Sequence, residues 1–238
     1  MINKSITLKA TTYKYPTKDE RKVINKQIPK IAHFNVKYNP ALFDYFFQNK
    51  PLDKAQQEED VFWWANCFNN KLGKLRETYV YLQTHYLRLQ NVQDWNTEKH
   101  YTNQFLLEYY IEIFYYFYFS VRDVLGQLIN VTQNLKCEED KIRFNQEFIK
   151  KIPSEEIKIA LTEFIESTKD SYNIRNAFNH RFTPTLIDNR AQQRIKQEGR
   201  KTAYFPAKEI KIEQFIKDID NLMQQLKLLM DKLTPLIK

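Results

Sequence analysis

The sequence predicts an all-α fold: an antiparallel bundle of two long helices, a short helix, a motif-bearing helix and a C-terminal helix, preceded by an irregular basic arm. Three observations carry this. Val61, Ala65, Phe68, Leu72, Leu75, Tyr79, Leu82, Tyr86 and Leu89 recur in steps of four and three, the spacing of one continuous helix face. The pattern returns at Leu107, Ile111, Phe114, Tyr118, Val121, Leu125 and Leu128. Finally, only three glycines occur, at 73, 126 and 199. That is too few for the φ > 0 turns of phosphate loops, dinucleotide-binding folds or Gly-turned sandwiches.

Residues 1–52 read as the arm and residues 53–238 as the helical domain. The first 37 residues hold nine Lys or Arg against Asp19 and Glu20. Ile6–Leu8 and Phe34–Val36 have strand composition, but Pro16, Pro29, Pro40 and Pro51 forbid anything longer. Asp53 with Gln56 three residues on forms a capping box for the first long helix. The second spans about 101–133. An adjacent stripe of Leu106, Tyr110, Ile113, Phe117 and Val124 widens its apolar face, so it needs cover on two sides. Ile142, Phe148 and Ile149 mark a short helix ending before Pro153. Ser154 then caps a helix whose face (Ile157, Leu161, Phe164, Ile165, Tyr172) runs on to a stop at Pro184. A polar connector fills 183–207. The last helix, about 207–234, shows Ile212, Phe215, Ile219, Leu222, Leu226, Leu229 and Leu233.

The formal charge is +8, which suits a polyanionic partner, because clustered Lys and Arg attract phosphates. Cys67 and Cys137 have no metal-ligand spacing and read as free thiols. No signal-peptide-like apolar run opens the chain, and the run from Phe105 to Phe119 is short for a membrane span and contains Glu108 and Glu112. A cytoplasmic protein with no membrane partner is expected. Glu138, Glu139 and Asp140 read as a solvated helix start rather than a metal site. His33, His85 and His100 read as surface or loop histidines. The aromatic run Tyr109–Phe119 follows core spacing and reads as interior packing and a dimer seam rather than a base-stacking platform.

One segment concentrates chemistry. Ser171-Tyr172-Asn173-Ile174-Arg175-Asn176-Ala177-Phe178-Asn179-His180 places an arginine, a polar residue after it, and a histidine five positions on. Arg175 and Asn179 lie one helical turn apart, as do Asn176 and His180. Arginine stays protonated and grips phosphate bidentately; histidine titrates near neutrality and can transfer protons.

An Arg-x4-His segment with Asn after the Arg, on an interior helix of an antiparallel bundle, resembles the signature of the HEPN superfamily, over roughly residues 53–235. The resemblance implies a metal-independent endoribonuclease with no cofactor, a toxin or defence effector acting on RNA. Two copies would face each other in a shared cleft as a homodimer. It implies Arg175 as phosphate binder, His180 as proton-transfer residue and Asn176 as the residue orienting the pair, with Asn179 in support. Ser120, a polar position in an apolar stripe, and Asp123 one turn on would approach the site from the second long helix, as polar residues there do in HEPN families. Arg181, Arg190, Arg194, Lys196, Arg200 and Lys201 would attract the RNA backbone. Where some HEPN toxins carry a tyrosine that a partner nucleotidyltransferase modifies, this chain has Phe182, so an antitoxin or regulatory protein would have to act by another route.

Plainer readings stand beside these. Arg175 can pair with Glu166 or Asp170, His180 can cap its helix, Ser120 can bond its own i−4 carbonyl, and Asp123 can pair with Arg122. A catalytically inactive helical module that binds RNA or protein is the alternative function.

Overall fold

A computed structural model describes residues 12–37, 52–91, 97–180, 183–185, 193–195, 202–204 and 210–237. Among them are seven α-helices: α1 Lys18–Gln27, α2 Leu52–Gln90, α3 Glu98–Thr132, α4 Gln146–Lys150, α5 Glu155–Ser167, α6 Lys169–His180 and α7 Ile212–Leu233. Two short strands, β1 Gln193–Ile195 and β2 Thr202–Tyr204, pair antiparallel. The chain is a helical bundle, as its periodicity predicts, with this hairpin added inside the connector.

Two compact units divide it: residues 1–28 with 76–114, and residues 29–75 with 115–238. Helices α2 and α3 pass through both.

In the first unit, α1 replaces part of the arm expected to be irregular. Its signal is a capping box: Thr17 N donates to Glu20 Oε2 (2.7 Å), and Glu20 N donates to Thr17 Oγ1 (3.2 Å). Arg88 on α2 holds Glu20 through Nε (2.7 Å) and Nη2 (2.8 Å), and also donates to the carbonyls of Tyr13 and Tyr15. Arg21 donates to both oxygens of Glu77 at 2.9 Å. Of the arm's described charges, Glu20 and Arg21 are thus paired within the unit. Against α3, Tyr79 meets Phe114 and His85 meets Asn103, so the two long helices run antiparallel here.

His85 corrects the surface reading of the histidines: it is fully buried, and His100 is buried too, while His33 is exposed. His85 Nδ1 lies 2.8 Å from Asn103 Oδ1, and Asn103 Nδ2 donates to the Lys99 carbonyl. Those bonds place the proton on Nδ1 and leave Nε2 as a buried acceptor with no donor. Burial pushes the His85 pKa below its ordinary value, against the opposing hydrogen bond to Asn103.

In the second unit, Phe34–Val36 is not a strand. The Asn69 side chain supplies its backbone partners, accepting from Phe34 N (3.1 Å) and donating to Phe34 O (2.8 Å), while the Phe34 ring packs edge-on against Phe68. Ile6–Leu8 lies outside the described residues. The core is the predicted one: Phe68, Leu72, Val121, Leu125, Leu128, Leu161, Ile219, Leu222 and Leu226 are all buried. Helix α4 packs on α5, and α5 on α7. A Cβ added at Gly126 would stand 3.3 Å from Phe144 and 3.6 Å from Ile142. The glycine therefore lets the loop before α4 close onto α3.

The motif helix is not continuous with the one capped by Ser154. The cap forms, Ser154 Oγ accepting from Ile157 N, but the helix breaks at Thr168 (φ −111°, ψ 8°). Thr168 is buried and its hydroxyl donates to the Phe164 carbonyl. The bond anchors the last turn of α5, and α6 starts afresh at Lys169.

Candidate functional site

Helix α6 is fixed by its inner face. Phe178 packs against Tyr115 and Phe215, with ring centroids 5.7 and 6.2 Å apart. Below it, Asp218 of α7 accepts from Ser171 Oγ (2.8 Å) and Tyr115 Oη (2.6 Å). Burial, reinforced by the Asp218 charge, pushes the Tyr115 pKa far up, so the phenol is a fixed donor. Sequence periodicity offers no signal for Asp218, because a carboxylate on α7 reads as solvated until the tyrosine facing it is known.

This anchoring presents Arg175 to a cavity of about 680 Å³ within the second unit. Of the residues expected at the site, Arg175, Ser120 and Asp123 line it; Asn176, Asn179 and His180 do not. Arg175 Nη1 donates to Asn176 Oδ1 at 3.1 Å, so Asn176 braces the guanidinium from its own helix. Asn179 is exposed. Arg175 makes no ion pair among the described residues, with Glu166 and Asp170 included, and its Nε is buried without a partner. His180 is the exposed last residue of α6.

Two further arginines line the same cavity. Arg122, nine-tenths buried, lies over three rings at once: Tyr172 (4.6 Å to the centroid), Phe119 (5.0 Å) and Phe144 (5.4 Å). Its Nη2 contacts Asp123 Oδ1 at 2.9 Å, which is the plainer role open to Asp123. Arg175 Cζ is 5.9 Å from the same Tyr172 ring, so two cations share one aromatic. Arg143, in the loop before α4, donates through Nη1 to the carbonyls of Asp140 (2.7 Å) and Ile142 (3.1 Å) and has no carboxylate partner among the described residues. Ser120 forms no hydrogen bond among the described residues, including to its i−4 carbonyl.

Chemically this is a partly desolvated guanidinium cluster beside a hydroxyl, suited to an oxyanion with several lone pairs. Arg122 was legible only as Asp123's partner, and Arg143, on a loop outside any motif, was missed. Arg181, Arg190, Lys196, Arg200 and Lys201 lie outside the described residues, as does Phe182; Arg194 sits in β1, its side chain outside them. In the run Tyr109–Phe119, Phe114, Tyr115, Tyr118 and Phe119 are buried, while Tyr109 and Tyr116 are exposed. Among the described residues no cluster of His, Cys, Asp or Glu could hold a metal ion, Glu138–Asp140 being exposed. No described helix is long and apolar enough to cross a membrane.

The model of the HEPN_Cthe2314-like HEPN family matches residues 64–238, close to the span over which the motif and bundle resemble that superfamily. No curated protein and no solved structure matches the chain. The match covers most of the chain, which therefore belongs to the HEPN superfamily.

Proposed function

We propose that this HEPN protein is a metal-independent endoribonuclease, a toxin or defence effector of the cytoplasm that cuts RNA at a site shared by two copies of the chain. The observation that carries the reading is Arg175: its guanidinium faces a cavity, braced by Asn176, with no carboxylate paired to it among the described residues. A guanidinium held without its own counter-ion is poised for a phosphodiester.

The chemistry needs three jobs done. A base takes the 2′-OH proton, and the 2′-oxygen attacks phosphorus. The bond to the 5′-oxygen breaks, and an acid protonates the leaving oxygen. Arg175 neutralises charge on the phosphate as it develops, and His180 serves as the proton-transfer group. The products are a 2′,3′-cyclic phosphate and a 5′-OH. His180 projects from the end of α6, outside the cavity that Arg175 lines. That placement supports a site completed by a second copy, whose α6 brings a second histidine.

The same separation favours the alternative, a catalytically silent module that binds RNA through its arginines. One experiment divides the two. Wild type, Arg175→Ala and His180→Ala are incubated with total RNA in excess EDTA, and cut sites and end chemistry are mapped. The nuclease reading expects cyclic-phosphate ends from wild type only, with losses of about 100-fold or more in each variant. RNA binding without cleavage by wild type would replace it with the silent module, and unchanged cleavage by His180→Ala would remove that residue's role.

A further inference from the structure

The Arg175 cavity does not end at the loop before α4. A second cavity of about 410 Å³ adjoins the same loop, and Ile142, Arg143 and Asn145 line both. Lys136, Lys141 and Lys151 line the second cavity, against Glu138 and Glu147. Lys141 is paired with Glu138 at 2.6 Å. Neither Lys136 nor Lys151 has a carboxylate partner among the described residues.

We propose that the two cavities form one track for single-stranded RNA, with Arg143 as the post between them. The proposal rests on the nuclease reading and names the form of its substrate. Three features support it. Arg143 is held from below by two carbonyls through Nη1, which leaves the rest of its guanidinium to either cavity. Lys136 has φ 56°, a left-handed conformation uncommon for a residue with a side chain. Asn130 holds the turn there, accepting from Cys137 N (3.0 Å) and donating to Cys137 O (3.1 Å), which fixes where the Lys136 side chain leaves the backbone. Finally, Trp64, Tyr172 and Phe144 line the first cavity among its arginines. Cations tracking a backbone beside aromatic faces are the composition of single-strand grooves. The first cavity falls in the ~300–1,000 Å³ range of small-ligand sites, a volume that suits a few unpaired nucleotides, whereas a duplex presents a broad outer surface.

The test is binding of 2′-O-methyl oligonucleotides, which cannot be cut by 2′-OH attack, to the full chain in wild-type, Arg143→Glu and Lys136→Ala/Lys151→Ala forms. Dinucleotides fill one cavity; octanucleotides cross the loop. For the octanucleotide, both variants should bind about tenfold or more weakly, and the lysine double variant should flatten the salt dependence by about 0.7 in log–log slope for each phosphate no longer neutralised. Dinucleotide binding by the lysine double variant should weaken by a smaller factor than octanucleotide binding, because the first cavity keeps its arginines. Because Arg143 also bonds its own loop, the lysine variant keeps the test independent of any local misfolding. Equal octanucleotide affinity in wild type and lysine variant would overturn the track, even where RNA is still cleaved. So would better competition by an RNA duplex, or wild-type affinity that stops rising at the dinucleotide. Weaker octanucleotide binding by the variants with no cleavage of ordinary RNA by wild type would uphold the track and remove the nuclease reading instead.

Discussion

Arg88 and Arg175 are both half-buried arginines on helices, and their surroundings differ at every hydrogen bond. In the first unit, Arg88 is nearly saturated: two bonds to the Glu20 carboxylate and one each to the carbonyls of Tyr13 and Tyr15. In the second unit, Arg175 has one neutral bond among the described residues, to Asn176, and a buried Nε with none. A guanidinium carries five donors. Where the fold fills them with a carboxylate, the residue staples helices together. Where it leaves them open and removes water, the fold accepts a cost that a bound anion would offset. On the proposed function, the contrast is between a cation bound into the fold and one kept for a phosphate.

The largest effect should come from the nearly saturated residue. Arg88→Ala strands the Glu20 carboxylate and two backbone carbonyls, and chemical denaturation should show a loss of about 2–3 kcal/mol. The Arg21–Glu77 pair is more exposed, so Arg21→Ala should cost only about 0.2–1 kcal/mol. Equal losses would break the distinction between a saturated and a peripheral pair.

Acid should act on the first unit in a smaller, graded way. Burial pushes the Glu20 pKa up, but bonds from Arg88 and Thr17 outweigh it and hold the value at about 2, below the ordinary 4.5. A depressed carboxylate contributes stability that is complete above pH 4.5 and lost as pH falls toward 2. His85 has the other route to acid sensitivity. Burial lowers its pKa, so its contribution is complete above the ordinary 6.5 and declines as pH falls below that value and the unfolded chain takes up the proton first. Hydrogen-exchange protection factors in α1, corrected for the intrinsic rate, should fall below pH 4.5, and Glu20→Gln should abolish that component. A flat pH profile in wild type would show that the Arg88–Glu20 pair does not secure the helix.

The helices were legible because burial follows the four-three spacing: every position of the Leu107–Leu128 stripe is buried, and the neighbouring stripe is half-buried. The same arithmetic, four residues on from Leu82, lands on Tyr86, which is half-buried, while His85 beside it is fully buried, so the stripe did not announce the histidine. The break at Thr168 was not legible, since apolar periodicity runs through it and the i−4 backbone bonds at Thr168 and Tyr172 persist, with only the Thr168 backbone angles leaving the helix. At the site, the Arg175 motif was visible as a local string. Arg143 was not, because it reaches Arg175's cavity from a loop 32 positions earlier in the chain, and such meetings depend on packing. Tyr172 was read as core and is also the ring that two guanidiniums share.

Arg175 is, on this reading, held for a phosphate rather than for the fold. The direct test is to measure Arg175→Ala and wild type side by side for denaturation midpoint and for affinity toward a 2′-O-methyl RNA oligonucleotide. A residue held for phosphate predicts stability within about 0.5 kcal/mol of wild type and RNA affinity reduced by about tenfold or more. A stability loss like that of Arg88→Ala, with RNA affinity unchanged, would contradict it.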